Sequence, residues 1–204
     1  MTNSPHPDRK IGRQDMLSIF EEMGKACREE GAYYEIAIYG GSALMLSFDY
    51  REATFDIDFV PVSGAADKIS DIANRAAMSL GFPQDLLRDD VSIFVSDAAR
   101  YEVYGEFPKG EGNLRVFTAT PEYIFSMKLL AMRNSMETHD MRDIWELADA
   151  CNIDDAEAAI SMLEKFYPGQ ALPIRNRLIL EDVFEAKRQD KPYSPILGWQ
   201  TCRT

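Results

Sequence analysis

Apolar residues recur at helical spacing first over 15–30, where Met16, Leu17, Ile19, Phe20, Met23 and Cys27 share one side and Gly31 follows as a stop. A short aromatic-rich run over 34–39 ends in Gly40-Gly41 and reads as a strand. Residues 42–48 contain Ala43, Leu44, Met45 and Leu46, all good helix formers. Over 55–60 apolar and acidic residues alternate, which is a strand period, and 65–80 is again helical, stopped by Gly81 and Pro83. Strands are predicted over 91–95, 101–107 and 114–117, the last two joined by a Pro- and Gly-containing turn over 108–113. Beyond this the pattern is helical: 121–133, 140–151, 154–166 and 174–188, the first opened by Thr120-Pro121-Glu122, with proline where its missing N–H does no harm. A tail with Pro192 and Pro195 reads as extended. The pattern predicts an α+β protein: a mixed sheet flanked by helices over 1–118, then a C-terminal helical bundle over 119–204 packing on that core, with the seam near 118–121.

Composition narrows the class. The 204 residues, 46% hydrophobic and 27% charged, are enough to bury a core without a disulfide or a metal. A net charge of −12 gives no global attraction for nucleic acid or an anionic membrane. Cys27, Cys151 and Cys202 are widely spaced, and His6 and His139 cannot make a histidine-rich metal site, so neither a disulfide framework nor structural zinc is expected. The polar stretch 1–13 has no apolar core of a signal peptide, and no apolar run is long enough to span a bilayer. The expectation is a soluble, cytoplasmic protein with no membrane partner.

Two segments carry candidate chemistry. Tyr39-Gly40-Gly41-Ser42 sits at a strand-to-helix junction, where glycine permits close backbone approach and the helix start offers N–H groups suited to phosphate. Taken alone, such a segment is as well explained by a turn and a cap. In the run 54–59, Asp56 and Asp58 are two residues apart, so in a strand they share a face while Phe55, Ile57 and Phe59 take the other. Two carboxylates so placed can hold divalent ions against a phosphate, and oxygen ligands with a phosphate substrate suit Mg²⁺. The plainer alternative is an acidic sheet edge facing water.

The later helices add Lys128, which falls within the apolar arc of Ile124, Phe125, Ala131 and Met132. A lysine so placed needs a partner, a phosphate or Asp56/Asp58, unless its stem snorkels and its head reaches water. Asp140 and Asp143 open the next helix; helix-start pairing accounts for Asp140 better than for Asp143.

An apolar strand, Gly-Gly-Ser, and then an Asp-x-Asp pair among apolar residues resembles the signature of the nucleotidyltransferase superfamily of polymerase-β type. The run 121–133 followed by Asp140-x-x-Asp143-Ile144 is similar to its AbiEii/MenT-like branch of toxin–antitoxin and phage-defence proteins, and the likeness spans roughly residues 36–147. The resemblance implies a nucleotidyltransferase fold, with Asp56 and Asp58 as Mg²⁺ ligands and catalytic residues. It implies Gly40, Gly41 and Ser42 as nucleotide contacts, Lys128 as a catalytic triphosphate contact, and Asp143 as the residue that orients the acceptor or supports the lysine. The implied activity is transfer of NMP from an NTP to a tRNA end, a protein hydroxyl or a small molecule, with an antitoxin as a partner. One departure stands out: many members carry a third carboxylate on a later strand, where this chain offers Arg115, with Asp97, Glu102 and Glu106 as loose substitutes. The alternative function is therefore a nucleotide-binding or partner-binding module without transfer activity. A basic surface from Arg175, Arg177, Lys187, Arg188 and Lys191 would be the feature that offsets the acidic net charge toward RNA, the plainer alternative being a solvated helix face.

Overall fold

The structure, a computed structural model, describes residues 10–132 and 140–189. His6, His139, Arg133, Lys191, Cys202 and the proline-containing tail lie outside the described residues. Chain contacts divide the described residues into two units, one drawn from 10–95 with 100–120, the other from 96–99 with 121 onward.

The first unit is built in chain order from β1 (Ile11–Gly12), α1 (Arg13–Glu29), β2 (Tyr34–Ile38), α2 (Gly40–Ser47), β3 (Ala53–Thr54), β4 (Ile57–Ser63), α3 (Ala66–Ser79), β5 (Leu87–Arg88), β6 (Tyr101–Phe107) and β7 (Leu114–Ala119). A five-stranded mixed sheet has the order β5-β4-β2-β7-β6, with β2 at its centre, antiparallel to β4 and parallel to β7. Register puts Ile36, Ile38, Ile57, Phe59, Leu114 and Val116 on one face, and all are buried. Removing that apolar surface from water is the main stabilising contribution of this layer.

Helix α1 buries Met16, Ile19, Phe20, Met23 and Cys27, the stripe its spacing predicts. Its start is fixed by Asp15, whose carboxylate accepts from the Gly12 N–H at 3.0 Å. Midway along, a Cβ at Gly24 would lie 2.4 Å from the Phe107 carbonyl carbon, so the α1 backbone rests directly on the end of β6. Helix α2 is apolar nearly all round and correspondingly buried. The Arg13 guanidinium donates to Met45 O (2.8 Å) and Phe48 O (3.0 Å), satisfying carbonyls at the α2 C-terminus.

Two strand expectations are corrected. The segment predicted as a strand over 91–95 is a 3₁₀ turn, Asp90–Phe94, with Ile93 and Phe94 exposed; Ser92 N–H bonds back to Asp89 O and no strand pairs with it. The acidic strand predicted over 55–60 begins only at Ile57, and Phe55 lies outside it, exposed rather than buried with Ile57 and Phe59.

The second unit contains α4 (Pro121–Ala131), α5 (Asp140–Ala150), α6 (Ala156–Phe166) and α7 (Ile174–Arg188). Tyr123 is fully buried on α4, its ring stacked on Tyr167 and its hydroxyl accepting from the Ser96 N–H at 2.8 Å. Burial and the Tyr123 hydroxyl push the Tyr167 phenol well above its ordinary range. Asn176 of α7 donates to Leu129 O at 2.9 Å, tying α7 to α4. Among the described residues no helix is long and apolar enough to cross a membrane.

Candidate functional site

The Gly-Gly-Ser junction and the acidic pair meet in the first unit. β2 ends at Ile38, opposite Phe59 in the ladder, and the Tyr39 N–H continues the pairing onto Asp58 O at 2.9 Å. The chain then turns into α2 through Gly40 at φ +58°, a left-handed conformation that side-chain-bearing residues adopt only at a cost. A Cβ at Gly40 would come within 2.2 Å of Asp58 Oδ2. The Asp58 carboxylate therefore packs on the bare Cα of Gly40, beside the first N–H groups of α2. Two independent demands, conformation and space, select glycine here.

Gly41 serves a different neighbour. A Cβ there would meet the Arg51 guanidinium, with Nη2 at 2.4 Å and Cζ at 2.6 Å. Arg51, from the loop between α2 and β3, thus lays its guanidinium across the first turn of α2. Ser42 is 1% exposed and its hydroxyl donates to Tyr39 O at 2.7 Å, so in this arrangement it locks the turn rather than facing outward.

Asp56 sits in the bend before β4, partly exposed. Thr54 Oγ1 is 3.5 Å from Asp56 Oδ1, and Arg88 Nη1 is 3.8 Å from Asp56 Oδ2. Arg88 is also the direct ladder partner of Asp58 across β4 and β5, so it neighbours both aspartates. It also donates from Nε to Asp85 O at 3.0 Å and lines an open cleft of about 500 Å³ with Asn74, Gln84, Asp85, Leu87, Asp89 and Asp90. Asp58 thus meets the α2 start, Arg51 lies over that same start and Arg88 neighbours both acids, an arrangement able to hold a polyanion together with a divalent cation.

Register also locates the third-carboxylate question. Arg115, Phe117 and Ala119 are the β7 residues on the Asp58 face, and none is acidic. Arg115 is committed to Glu106 (2.7 Å) and Glu35 (3.3 Å). Glu102 faces the other way, opposite Thr118, and Asp97 belongs to the second unit. Among the described residues no group of three or more His, Cys, Asp or Glu side chains is placed to hold a metal ion, so a cation here would rest on two carboxylates at most.

Lys128 finds its partners within its own unit. Its ammonium lies 2.9 Å from Asp140 Oδ1 and 2.9 Å from Asp143 Oδ2, with Asp143 only 1% exposed. Of the partners expected for this lysine, neither Asp56/Asp58 nor a snorkelling escape to water is what the structure shows: the acids of α5 neutralise it, Asp143 in the supporting role the resemblance offered it and Asp140 beside it, and they join α4 to α5. The expected basic surface of α7 is reduced at three of its five positions, Lys191 lying outside the described residues and Arg175 being exposed. Arg177 pairs with Glu157 and Glu181, Lys187 with Asp149 while lying over the Trp145 ring, and Arg188 with Glu185. The charges of Arg177, Lys187 and Arg188 are thus paired locally.

Sequence reasoning missed Arg51 and Arg88. Arg51 lies in a loop without periodicity; the one available signal was a cation shortly after a Gly-Gly helix start. Arg88 lies in a two-residue strand, too short for any alternation to register. Compared with known proteins, the chain matches no family model, no curated protein and no solved structure.

Proposed function

We propose that the chain is a Mg²⁺-dependent nucleotidyltransferase that moves NMP from an NTP to a hydroxyl acceptor on RNA, protein or a small molecule. The observation that carries this reading is the seating of the Asp58 carboxylate on Gly40 at the start of α2. Phosphate-binding backbone and a metal-binding acid then share one point, which a mere turn and an acidic edge would not require.

Mg²⁺ takes one or two carboxylates and completes its shell with water and substrate phosphates, so Asp56 and Asp58 are a sufficient protein donor set. Bound there, the ion supplies charge neutralisation at the phosphates. The α2 N–H groups and the Arg51 guanidinium hold phosphate oxygens, and Arg88 adds a second cation beside the acids. The acceptor oxygen forms its bond to the α-phosphorus as the bond to the β-bridging oxygen breaks. Pyrophosphate leaves, and the hydroxyl proton passes to solvent. The chain's own contribution is positioning and fixed positive charge around the departing phosphates. Lys128 is assigned to holding α5 against α4, with Asp140 and Asp143.

A second reading, a nucleotide-binding module without transfer, is favoured by Arg115 on the sheet face where a third acid is expected. The two separate on one experiment. Each α-labelled NTP is incubated with Mg²⁺, the protein and a cell lysate, and label is partitioned among RNase-sensitive, protease-sensitive and small-molecule fractions, beside an Asp56→Ala/Asp58→Ala variant checked for folding. Label that disappears in the variant supports transfer and names the acceptor class. NTP binding with no label in any fraction overturns transfer in favour of the binding module, and no binding overturns both.

A further inference from the structure

Phe55 immediately precedes the first aspartate of the pair, and it is 55% exposed while Ile57 and Phe59 of the same run are buried. An aromatic ring left in water forgoes the burial that its neighbours obtain. Its root is nevertheless held on both sides. Ala53 and Thr54 pair with Gly12 and Ile11, Thr54 reaches the Asp56 carboxylate, and Ile57 enters the sheet opposite Leu87. Lys10 Nζ lies 5.1 Å from the ring centroid, a cation over the π-face. The result is an exposed ring on a fixed stem, one residue from a carboxylate proposed to serve phosphate chemistry.

In a nucleotide the base is separated from the α-phosphate by one ribose. With phosphates at Asp56, Asp58 and the α2 start, the base has an aromatic surface within reach at Phe55. We propose that Phe55 is the stacking platform for the nucleobase of the NTP, with Lys10 flanking it, an inference that rests on the nucleotidyltransferase reading. Stacking tolerates every base because each has a π-face, and the larger purine face gains more from it. Purine NTPs should therefore bind tighter than pyrimidine NTPs.

The test uses the full chain and no acceptor, so that only the NTP is in question. Titration calorimetry with Mg²⁺ compares ATP, GTP, CTP and inorganic tripolyphosphate on wild type, Phe55→Ala, Phe55→Leu and Phe55→Trp. The expected result is a loss of roughly 5- to 150-fold in NTP affinity for Phe55→Ala and Phe55→Leu, the range of one stacked base. Tripolyphosphate affinity should be unchanged, and Phe55→Trp should keep NTP binding. Wild-type NTP affinity in Phe55→Ala or Phe55→Leu, with binding still abolished by Asp56→Ala/Asp58→Ala, overturns the platform and leaves the function intact. Equal losses for NTP and tripolyphosphate also overturn it, because the ring would then act on the phosphates or the fold. If wild type binds neither ligand, the function fails and the platform with it.

Discussion

Replacing Gly40 by alanine tests the contact on which the site is built. At φ +58° an L-residue costs about 1–2 kcal/mol. The new Cβ would stand 2.2 Å from Asp58 Oδ2, so the carboxylate must rotate away, at about 0.5–1.5 kcal/mol for a disfavoured rotamer. Lower chain entropy in the unfolded state returns about 0.4–1 kcal/mol. The net loss is about 0.5–3 kcal/mol, or roughly 0.25–1.5 M in urea midpoint at a slope near 2 kcal/mol/M. Gly31→Ala is the control: φ is +63° and a Cβ there meets nothing within 4 Å, so only the conformational cost applies. The decisive comparison puts Gly40→Ala into an Asp58→Ala background. The Asp58 Cβ is 3.7 Å from the added methyl, an ordinary contact, so the penalty should shrink to that of Gly31→Ala. Urea unfolding followed by circular dichroism gives all four corners of the cycle. An equal cost of Gly40→Ala in both backgrounds would refute the wedging of Asp58 against the helix start.

Lys128→Met strands Asp143 and Asp140 without their lysine and should cost about 2–4 kcal/mol in chemical denaturation, discounted for the lysine's partial exposure. Arg28→Ala, which breaks an exposed pair with Glu111, should cost about 1 kcal/mol or less on the same assay, and equal losses would refute the burial argument. Burial pushes the Cys27 thiol up to about 11 and the Cys151 thiol up to about 12. Native thiols thus keep protons that the unfolded chain releases from about pH 8.5, so their stabilising contribution is full below that pH and falls as pH rises toward 11. Urea midpoints at pH 8 and 10.5 should differ more in wild type than in Cys27→Ala, and parallel shifts would refute the assignment.

The elements legible in the sequence were those whose period is enforced by a buried face. α7 spans the predicted 174–188, and α1 buries the predicted stripe, because a long amphipathic helix repeats its signal many times. Where a few residues decide, tertiary context prevailed. Residues 91–95 have a strand's composition but coil as a 3₁₀ turn near β4 without joining its ladder, and Phe55 lost its alternation because the chain bends there and β4 begins only at Ile57. In the site, the meeting of Gly40 with Asp58 was readable because one short helix and one turn return the chain beside β2. Arg51 and Arg88 were not, since their positions depend on how loops and a two-residue strand fold back. Lys128 was legible as a cation in need of a partner and Asp143 as one residue able to support it, but Asp140 as its other partner required the α4–α5 geometry.

The central position of β2 sets a schedule for synthesis. Its antiparallel neighbour β4 is complete by Ser63, but its parallel neighbour β7 begins only at Leu114, roughly 75 residues after β2 ends. At ~5–20 residues per second a ribosome takes about 4–15 s to cover that distance. Through that interval the apolar strand Tyr34–Ile38 has one side without its final partner, the kind of edge on which nascent chains associate. Translation that pauses before Leu114 prolongs the exposure, so the yield of folded protein should depend on the codons between α3 and β7 as well as on the amino acids they encode.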